Sequence, residues 1–373
     1  MPFTQYRVYV NGNPATVDQL SRFEDIVIDQ EMDKACQGRF QVPVCVRANG
    51  VWDGETEGFL QGLTRIRLEV QIQNADWVAL IDGPIVNIES AMFSEPGQSV
   101  LTLVVSDDSF YLHRSETVRV LQGSDAKVAS QIYDEVPQIA SKDIDSAPAP
   151  SKPGFETTVL RGTQMECLRR LAKRQHMHAY VACGPAPGQS VGCFKLDPDP
   201  AKDFGLAPMI LLGPAMNIFS FQSDQTVGQT AAFKSGKVNL NTRGTETRTS
   251  DLSDIDLQGS EPGPGPAIRR FLKPGQTDAL ALARAVQAAS EQAAYALSAH
   301  GEVMKETYPS VLQPYQNVAV LGVNGTISGS WLIKQVTHTL TRNSYGQTFQ
   351  VLRNARSAGT NSPLPQTPAE IYG

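Results

Sequence analysis

Alternating apolar and polar residues dominate the first hundred positions of the chain. In residues 63–72 one face carries only apolar side chains and the other carries charged or amide side chains; the apolar ones are Ile66, Leu68, Val70 and Ile72. A period of two predicts a strand with one buried face. Comparable runs separated by turn residues occur at 6–10, 25–30, 38–46, 77–90 and 99–105. Residues 1–110 are therefore predicted to form a first tube-like antiparallel β-barrel.

Helical periodicity begins after residue 110. Ser124 can cap a helix whose apolar stripe repeats every four residues, and Thr163 can cap a second helix that runs to about Gln175. A Pro/Ser-rich loop over 141–154 separates them. A strand pair follows at 179–183 and 192–196. The sequence thus predicts a small α+β connector domain over residues 111–205.

Strand patterns return in residues 206–249 and 306–357, which are predicted to form a second β-barrel. Its clearest element is a hairpin from Trp331 to Arg353 with turn chemistry at residues 343–346. The polar stretch 241–265 is predicted to lack packed structure, and the Ala-rich stretch 278–300 to be one long helix. Residues 250–305 are accordingly interpreted as a flexible loop plus helical insertion. Residues 358–373 are interpreted as a Pro-rich tail that is disordered in isolation or runs along a neighbouring subunit.

The last hairpin of the first β region resembles the C-terminal hairpin at an offset of 248 positions. The offset aligns four pairs of apolar residues, namely Ile85 with Ile333, Ile88 with Val336, Leu101 with Phe349, and Leu103 with Val351. This alignment predicts that the chain carries two copies of one β module. Three such chains around an axis would present six similar modules, so these eight residues are predicted to mark the segments used in assembly.

Composition and charge narrow the possible functions. The 373 residues are 41% hydrophobic, which is enough for two or more domains, and the net charge is -6. The one basic concentration, from Arg169 to Arg174, is interpreted as a solvated helix face, so specific nucleic-acid binding is not expected. No secretory signal and no membrane-spanning stretch is recognised. Five scattered cysteines fit buried thiols rather than a zinc site.

No catalytic, metal or cofactor site is predicted. His176 and His178 lack a third ligand in the sequence, so turn or strand histidines are favoured there. His338 shares a strand face with apolar residues, so a core or interface histidine is favoured. Asp107 and Asp108 follow a strand, where carboxylates commonly cap the next turn. A glycosidase would need a second carboxylate in a cleft.

Several segments in this order resemble the hub proteins of contractile phage tails and injection systems, including the late control protein D family. The resemblance rests on the stretches 82–89, 106–114, 165–172, 328–338 and 345–354. It covers about Phe59 to Arg356. The chain has no further barrel or β-helix after the second β module, which implies that the spike is a separate polypeptide.

The resemblance implies a structural role rather than an enzyme. It predicts a homotrimeric baseplate hub that joins a six-fold inner tube to a three-fold spike and contacts other baseplate components. Such a protein would assemble in the bacterial cytoplasm and end in the baseplate of a phage tail or injection particle. Two alternatives stay open at this point: a tail-associated cell-wall hydrolase, and a carbohydrate-binding β module with exposed aromatic platforms.

Overall fold

The computed structural model describes residues 4–46, 49–52, 57–73, 75–95, 97–146, 157–239, 244–273, 279–305, 307–342 and 344–357. These residues form a mainly β protein with a few helices, as the sequence predicts. The proposed C-terminal tail, residues 358–373, lies outside the described residues.

The first part of the chain contains one short helix and seven strands. Thr16 begins the helix with a capping box shared with Gln19. The strands alternate as predicted, and their inward residues are fully buried in one cluster that includes Phe40, Ile66 and Leu103. The elements are β1 (Thr4–Val10), β2 (Asn13–Pro14), α1 (Val17–Arg22), β3 (Ile26–Glu31), β4 (Gln37–Pro43), β5 (Arg65–Ile72), β6 (Val78–Ala91) and β7 (Val100–Ser106).

The middle part packs two helices against a three-stranded sheet. Ser124 and Thr163 cap the helices as predicted, and Leu168 and Tyr133 lie in their shared core. Residues 139–144, which overlap the predicted loop 141–154, form a strand parallel to β12. The elements are α2 (Ser109–Leu112), β8 (Glu116–Gln122), α3 (Asp125–Asp134), β9 (Ile139–Ile144), β10 (Thr157–Thr163), α4 (Gln164–Gln175), β11 (Met177–Cys183) and β12 (Ser190–Leu196).

The last part returns to strands and carries one long helix. The elements are β13 (Met209–Ile210), β14 (Ile218–Gln225), β15 (Ala231–Asn239), β16 (Gly244–Thr249), β17 (Glu261–Pro262), β18 (Ile268–Phe271), α5 (Ala279–Ala293), β19 (Leu297–Val303), β20 (Asn317–Leu321), β21 (Gly329–Leu340), β22 (Tyr345–Arg353) and β23 (Ala355–Arg356).

Two sequence predictions in this part are wrong. The Ala-rich helix ends at Ala293 rather than His300, because β19 pairs with β14 on one side and β22 on the other. Backbone pairing on both edges outweighs the helix propensity of a short segment. The polar stretch 241–265 is also structured in part, since β16 pairs with β15 and β17 pairs with β23.

The two predicted barrels are two halves of one sheet. Thirteen strands are connected, and the main path runs β14-β19-β22-β21-β3-β4-β7-β6-β5-β1-β2. The halves meet where β21 pairs antiparallel with β3, from Gln335 opposite Glu31 to Leu340 opposite Ile26. We call this pairing the internal seam. Each half has its own apolar core, and Trp331 and Phe349 anchor the second.

The strand order supports the internal repeat and corrects its register. The order β6-β7-β4-β3 in the first half corresponds to β21-β22-β19-β14 in the second. A β-bulge follows Ile85 in β6 and follows Ile333 in β21, which agrees with the offset of 248. In the return strands, however, Leu103 corresponds to Phe349 and Val105 to Val351, two residues away from the predicted alignment. A shift of two residues keeps the same face buried, so the apolar pattern cannot detect it.

Candidate functional site

Seven of the eight predicted assembly residues turn inward. Ile85, Leu103, Ile333, Val336, Phe349 and Val351 are buried in the two cores, and Leu101 packs against the first core. Their strands β7, β21 and β22 are paired on both sides within the chain. Ile88 differs because its side chain is 39% exposed. A role of these eight residues in assembly stays a prediction. Ile88 lies in a part of β6 whose backbone is unpaired on one side.

Two strand segments in the described part of the chain have an open edge at opposite ends of the curled eight-strand run. The C-terminal half of β6, from Asn87 to Ala91, pairs with β7 on one side only. At the other end, β14 pairs only with β19. An unpaired edge offers a row of free N–H and C=O groups that another strand can take up. We call these segments the β6 edge and the β14 edge.

Both edges carry exposed apolar side chains. Beside Ile88 on the β6 edge, Met92 is 44% and Phe93 56% exposed. On the β14 edge Phe219 is 61% exposed, and Met216 lies next to it. Edge strands that stay solvated usually carry charges or proline as protection against pairing. Exposed apolar residues at both open edges are instead typical of surfaces that become buried in an assembly.

A cluster of charged and aromatic side chains joins the three parts of the chain, and we call it the histidine joint. His178 of β11 lies 2.7 Å from Asp197 and 3.0 Å from Asp33, which belongs to the turn after β3. Tyr295, after α5, donates a 2.9 Å hydrogen bond to the other oxygen of Asp197. His176 also contacts Asp197 at 2.9 Å. The connector is thus attached to the first half of the sheet through Asp33 and to the last part of the chain through Asp197 and Tyr295, with His178 bonded to both carboxylates.

The charge state of His178 follows from these contacts. Burial alone would lower the pKa of His178, but hydrogen bonds and charge attraction from Asp197 and Asp33 raise it to about 10. Burial would likewise raise the pKa of Asp197, yet hydrogen bonds from His176 and His178 hold it well below the ordinary value. His178 is therefore protonated at neutral pH, and the joint is an ion pair largely removed from water.

A second polar cluster attaches the connector to the first half of the sheet. Arg65 makes a bidentate contact with Asp108 at 2.9 and 2.7 Å and a further bond to Asp82 at 2.6 Å. Ser190 of the connector donates to Asp108 at 2.6 Å, and the Gly188 N–H donates to Asp82 at 2.9 Å. Asp82 and Asp108 are thus each bonded both to Arg65 of the first half and to a residue of the connector.

The remaining candidate residues behave as structural groups. Asp107 accepts hydrogen bonds from the backbone N–H of Ser109 and Cys36, and burial raises its pKa to about 6. His338 is fully buried between Tyr345 and Gln30, and burial lowers its pKa to about 3. Both confirm the structural interpretation of the sequence. No local sequence pattern predicts the role of Asp197, which directly follows β12 in a polar stretch.

Metal and membrane features can be assessed only for the described residues. Among them no group of three or more His, Cys, Asp or Glu side chains is arranged to hold a metal ion. None of the five cysteines, all of which lie in the described part of the chain, forms a disulfide; Cys167 and Cys193 are buried and Cys45 is exposed. Over the same residues, none of the helices combines the length and apolar character needed to cross a bilayer.

Comparison with solved structures identifies the fold. The 43 kDa tail protein of prophage MuSo2 from Shewanella oneidensis superposes with a TM-score of 0.63 at 15% identity, over 94% of this chain and 99% of that one. A tail protein from Neisseria meningitidis MC58 gives 0.59 at 15% identity, over 94% and 96% of the two chains. An Escherichia coli component of the type VI secretion system gives 0.56 at 12% identity, over 97% and 80%.

These structures confirm the resemblance at the level of fold. The Escherichia coli protein is described as structurally similar to the T4 bacteriophage tail proteins gp27 and gp5. No protein-family model matches the sequence, and no curated protein matches it. The chain therefore has the fold of these phage tail proteins and of this type VI secretion component, at a sequence identity of 12 to 15%.

Proposed function

We propose that this protein is a structural hub in the baseplate of a contractile tail or injection particle and that three copies close a ring. The proposal is supported by the likeness of nearly the whole chain to phage tail proteins and to a type VI secretion component. The observation that carries it is the pair of open strand edges at the two ends of the eight-strand run, which is built from two copies of one module.

The internal seam provides a template for the contact between subunits. By the repeat, β21 corresponds to β6, and β3 corresponds to β14. The pairing of β21 with β3 inside the chain therefore has a counterpart in the pairing of the β6 edge of one subunit with the β14 edge of the next. Such a contact joins two different surfaces, and repeated around an axis it closes a ring.

The template also predicts the register of this contact. In the internal seam His338 lies opposite Ile28. At the offset of 248 positions, His338 corresponds to Ser90 in the first module. Ile28 pairs with Gly38, which lies opposite Val105. Val105 corresponds to Val351, which lies opposite Ala299, and Ala299 in turn lies opposite Ser223. Ser223 is therefore the counterpart of Ile28. Ser90 of one subunit is thus expected to face Ser223 of its neighbour.

A ring formed in this way has approximate six-fold symmetry. Each subunit would contribute two similar four-strand modules, so three copies would line the ring with six. One rim would match a hexameric inner tube, and the other would match a three-fold spike. The partners expected are therefore further copies of this chain, the tube protein, the spike and other baseplate components, with assembly in the bacterial cytoplasm before the particle is complete.

The function proposed is one of assembly and not of catalysis. The acids that a cell-wall hydrolase would use are buried in salt bridges or cap turns, as at Asp82, Asp107 and Asp108. The large exposed apolar residues at the two open edges flank unpaired backbone and do not form an aromatic platform on a closed face. These features favour strand pairing over binding of glycan.

Native mass tests the proposal. We expect light scattering of the purified chain at about 10 µM to give the mass of three chains, because ring closure buries three identical seams together. Native mass spectrometry at the same concentration should show trimers without abundant dimers. A chain that stays monomeric in both measurements would contradict the proposed function.

A further inference from the structure

The basic concentration on α4 borders a groove that the proposed ring contact does not use. The groove has a volume of about 1000 Å³ and lies between α4, α5 and the strand β18. Among the described residues, six cationic side chains and no Asp or Glu line it; the cations are Arg169, Arg170, Lys173, Arg174, Arg270 and Lys273. In a chain whose net charge is -6, this is a local reversal of sign. The sequence alone suggested only a solvated helix face.

Most of these cations have no acidic partner among the described residues. Arg174 is bonded to Asp125, whereas Lys173, Arg270 and Lys273 form no ion pair with a described residue. Arg170 donates to the carbonyl of Arg161 rather than to a carboxylate. The Nε of Arg169 is buried without a hydrogen-bond partner. Cations without an acidic partner repel one another, and a buried donor without a hydrogen-bond partner is destabilising. An anion in the groove would relieve both effects.

The floor of the groove is apolar. Leu282 is buried there, and the small side chains of Ala285, Ala289 and Ala293 leave space along one face of α5. Val227 is 70% exposed at its border. An occupant that uses both features has apolar side chains for the floor and carboxylates for the basic rim. The phosphate backbone of a nucleic acid would satisfy the rim but would leave the floor uncovered, and the net negative charge of the chain would repel it.

We infer that this groove binds an acidic, amphipathic peptide segment of a partner protein. The segment would lay its apolar face on α5 and place its carboxylates against Lys173 and Arg270. Such a contact is independent of ring closure, because neither the β6 edge nor the β14 edge lines the groove. The groove would therefore recruit a further component to the hub from outside the seam.

The experiment measures binding of labelled peptides by fluorescence anisotropy. The probe is a helical peptide of about three turns with Leu at the i, i+3, i+4 and i+7 positions and Glu on its other face, and its matched control carries Lys instead of Glu. We expect the Glu peptide to bind the full chain at micromolar concentration and the Lys peptide not to bind. A single-stranded oligonucleotide of about 12 bases is measured in parallel.

Variants locate the site. Lys173→Glu with Arg270→Glu is expected to weaken binding of the Glu peptide at least tenfold, whereas Arg114→Glu with Lys127→Glu makes the same charge change at exposed positions elsewhere and should leave binding within twofold. Ala289→Trp should also weaken binding, since it fills the floor without changing charge. Equal loss in both charge variants, no binding of the Glu peptide, or tighter binding of the oligonucleotide would overturn the inference.

Discussion

Placing two lysines on the β6 edge is expected to convert the trimer into monomers. Ile88→Lys with Met92→Lys puts two charges on one face of the strand that the neighbouring β14 edge covers. Each seam loses the burial of two apolar side chains and gains two desolvated charges, a loss of about 3 kcal/mol or more. A ring of three contains three such seams, so light scattering at micromolar concentration should report the mass of one chain.

The fold of this variant should remain intact, because both side chains are already partly exposed in the single chain. Its thermal unfolding temperature should match that of a dissociated wild-type subunit. Val17→Lys with Leu196→Lys is the matched control, since Val17 is 80% and Leu196 42% exposed away from both open edges. This control should remain trimeric. A trimeric Ile88→Lys, Met92→Lys variant would exclude the β6 edge from the ring.

Raising the pH from 6 to 9 is expected to weaken the histidine joint. The pKa of His178 in the folded chain is about 10 and that of an unfolded histidine about 6.5. A raised pKa means that His178 contributes its full stabilisation below pH 6.5 and loses it progressively as the pH rises towards 10. Between pH 7 and pH 9 this loss approaches about 2 to 3 kcal/mol.

Urea unfolding of wild type and His178→Gln, at several pH values and one protein concentration, measures this contribution. The free energy of unfolding should favour wild type most at pH 6, and the difference between the two proteins should shrink by pH 9. Subtracting one free energy of unfolding from the other removes the pH dependence that tyrosines and cysteines contribute equally to the two proteins. His300→Gln changes an exposed histidine of β19 whose imidazole is hydrogen-bonded to Gln222, and this variant should follow the wild-type profile. Parallel profiles for wild type and His178→Gln would show that His178 is not charged in the folded chain.

Local sequence patterns predicted most of the elements but not how they are joined. Strands such as β5 and helices such as α4 were predictable because period and capping residues act within a few positions. The internal seam between β21 and β3 joins residues about 300 positions apart, and no local pattern specifies such a partner. The same limit applies to the helix predicted over 278–300, whose last residues instead pair as β19 with two distant strands.

The candidate site was predictable only in part. The repeat aligned two hairpins that occupy matching places in the sheet, and Ile88 lies on an open edge. The other predicted assembly residues face inward, because an alternating apolar pattern identifies the core side of a strand. Whether a strand has an open edge depends on the order of all strands in the sheet, so the sequence of β14 alone could not predict its open edge. Likewise, the role of Asp197 depends on His176 and His178 from the connector and on Tyr295 from the last part of the chain.

Disulfide trapping across the predicted seam tests the central claim most directly. In a Cys45→Ser background, Ser90→Cys and Ser223→Cys place two exposed positions opposite each other, and mild oxidation should give covalent dimers and trimers on a denaturing gel. Pairing Ser90→Cys with Gln222→Cys instead moves the second thiol to the other face of β14 and should leave the chains uncrosslinked. Monomers from the first pair, or equal crosslinking from both pairs, would contradict a ring closed by the β6 and β14 edges in this register.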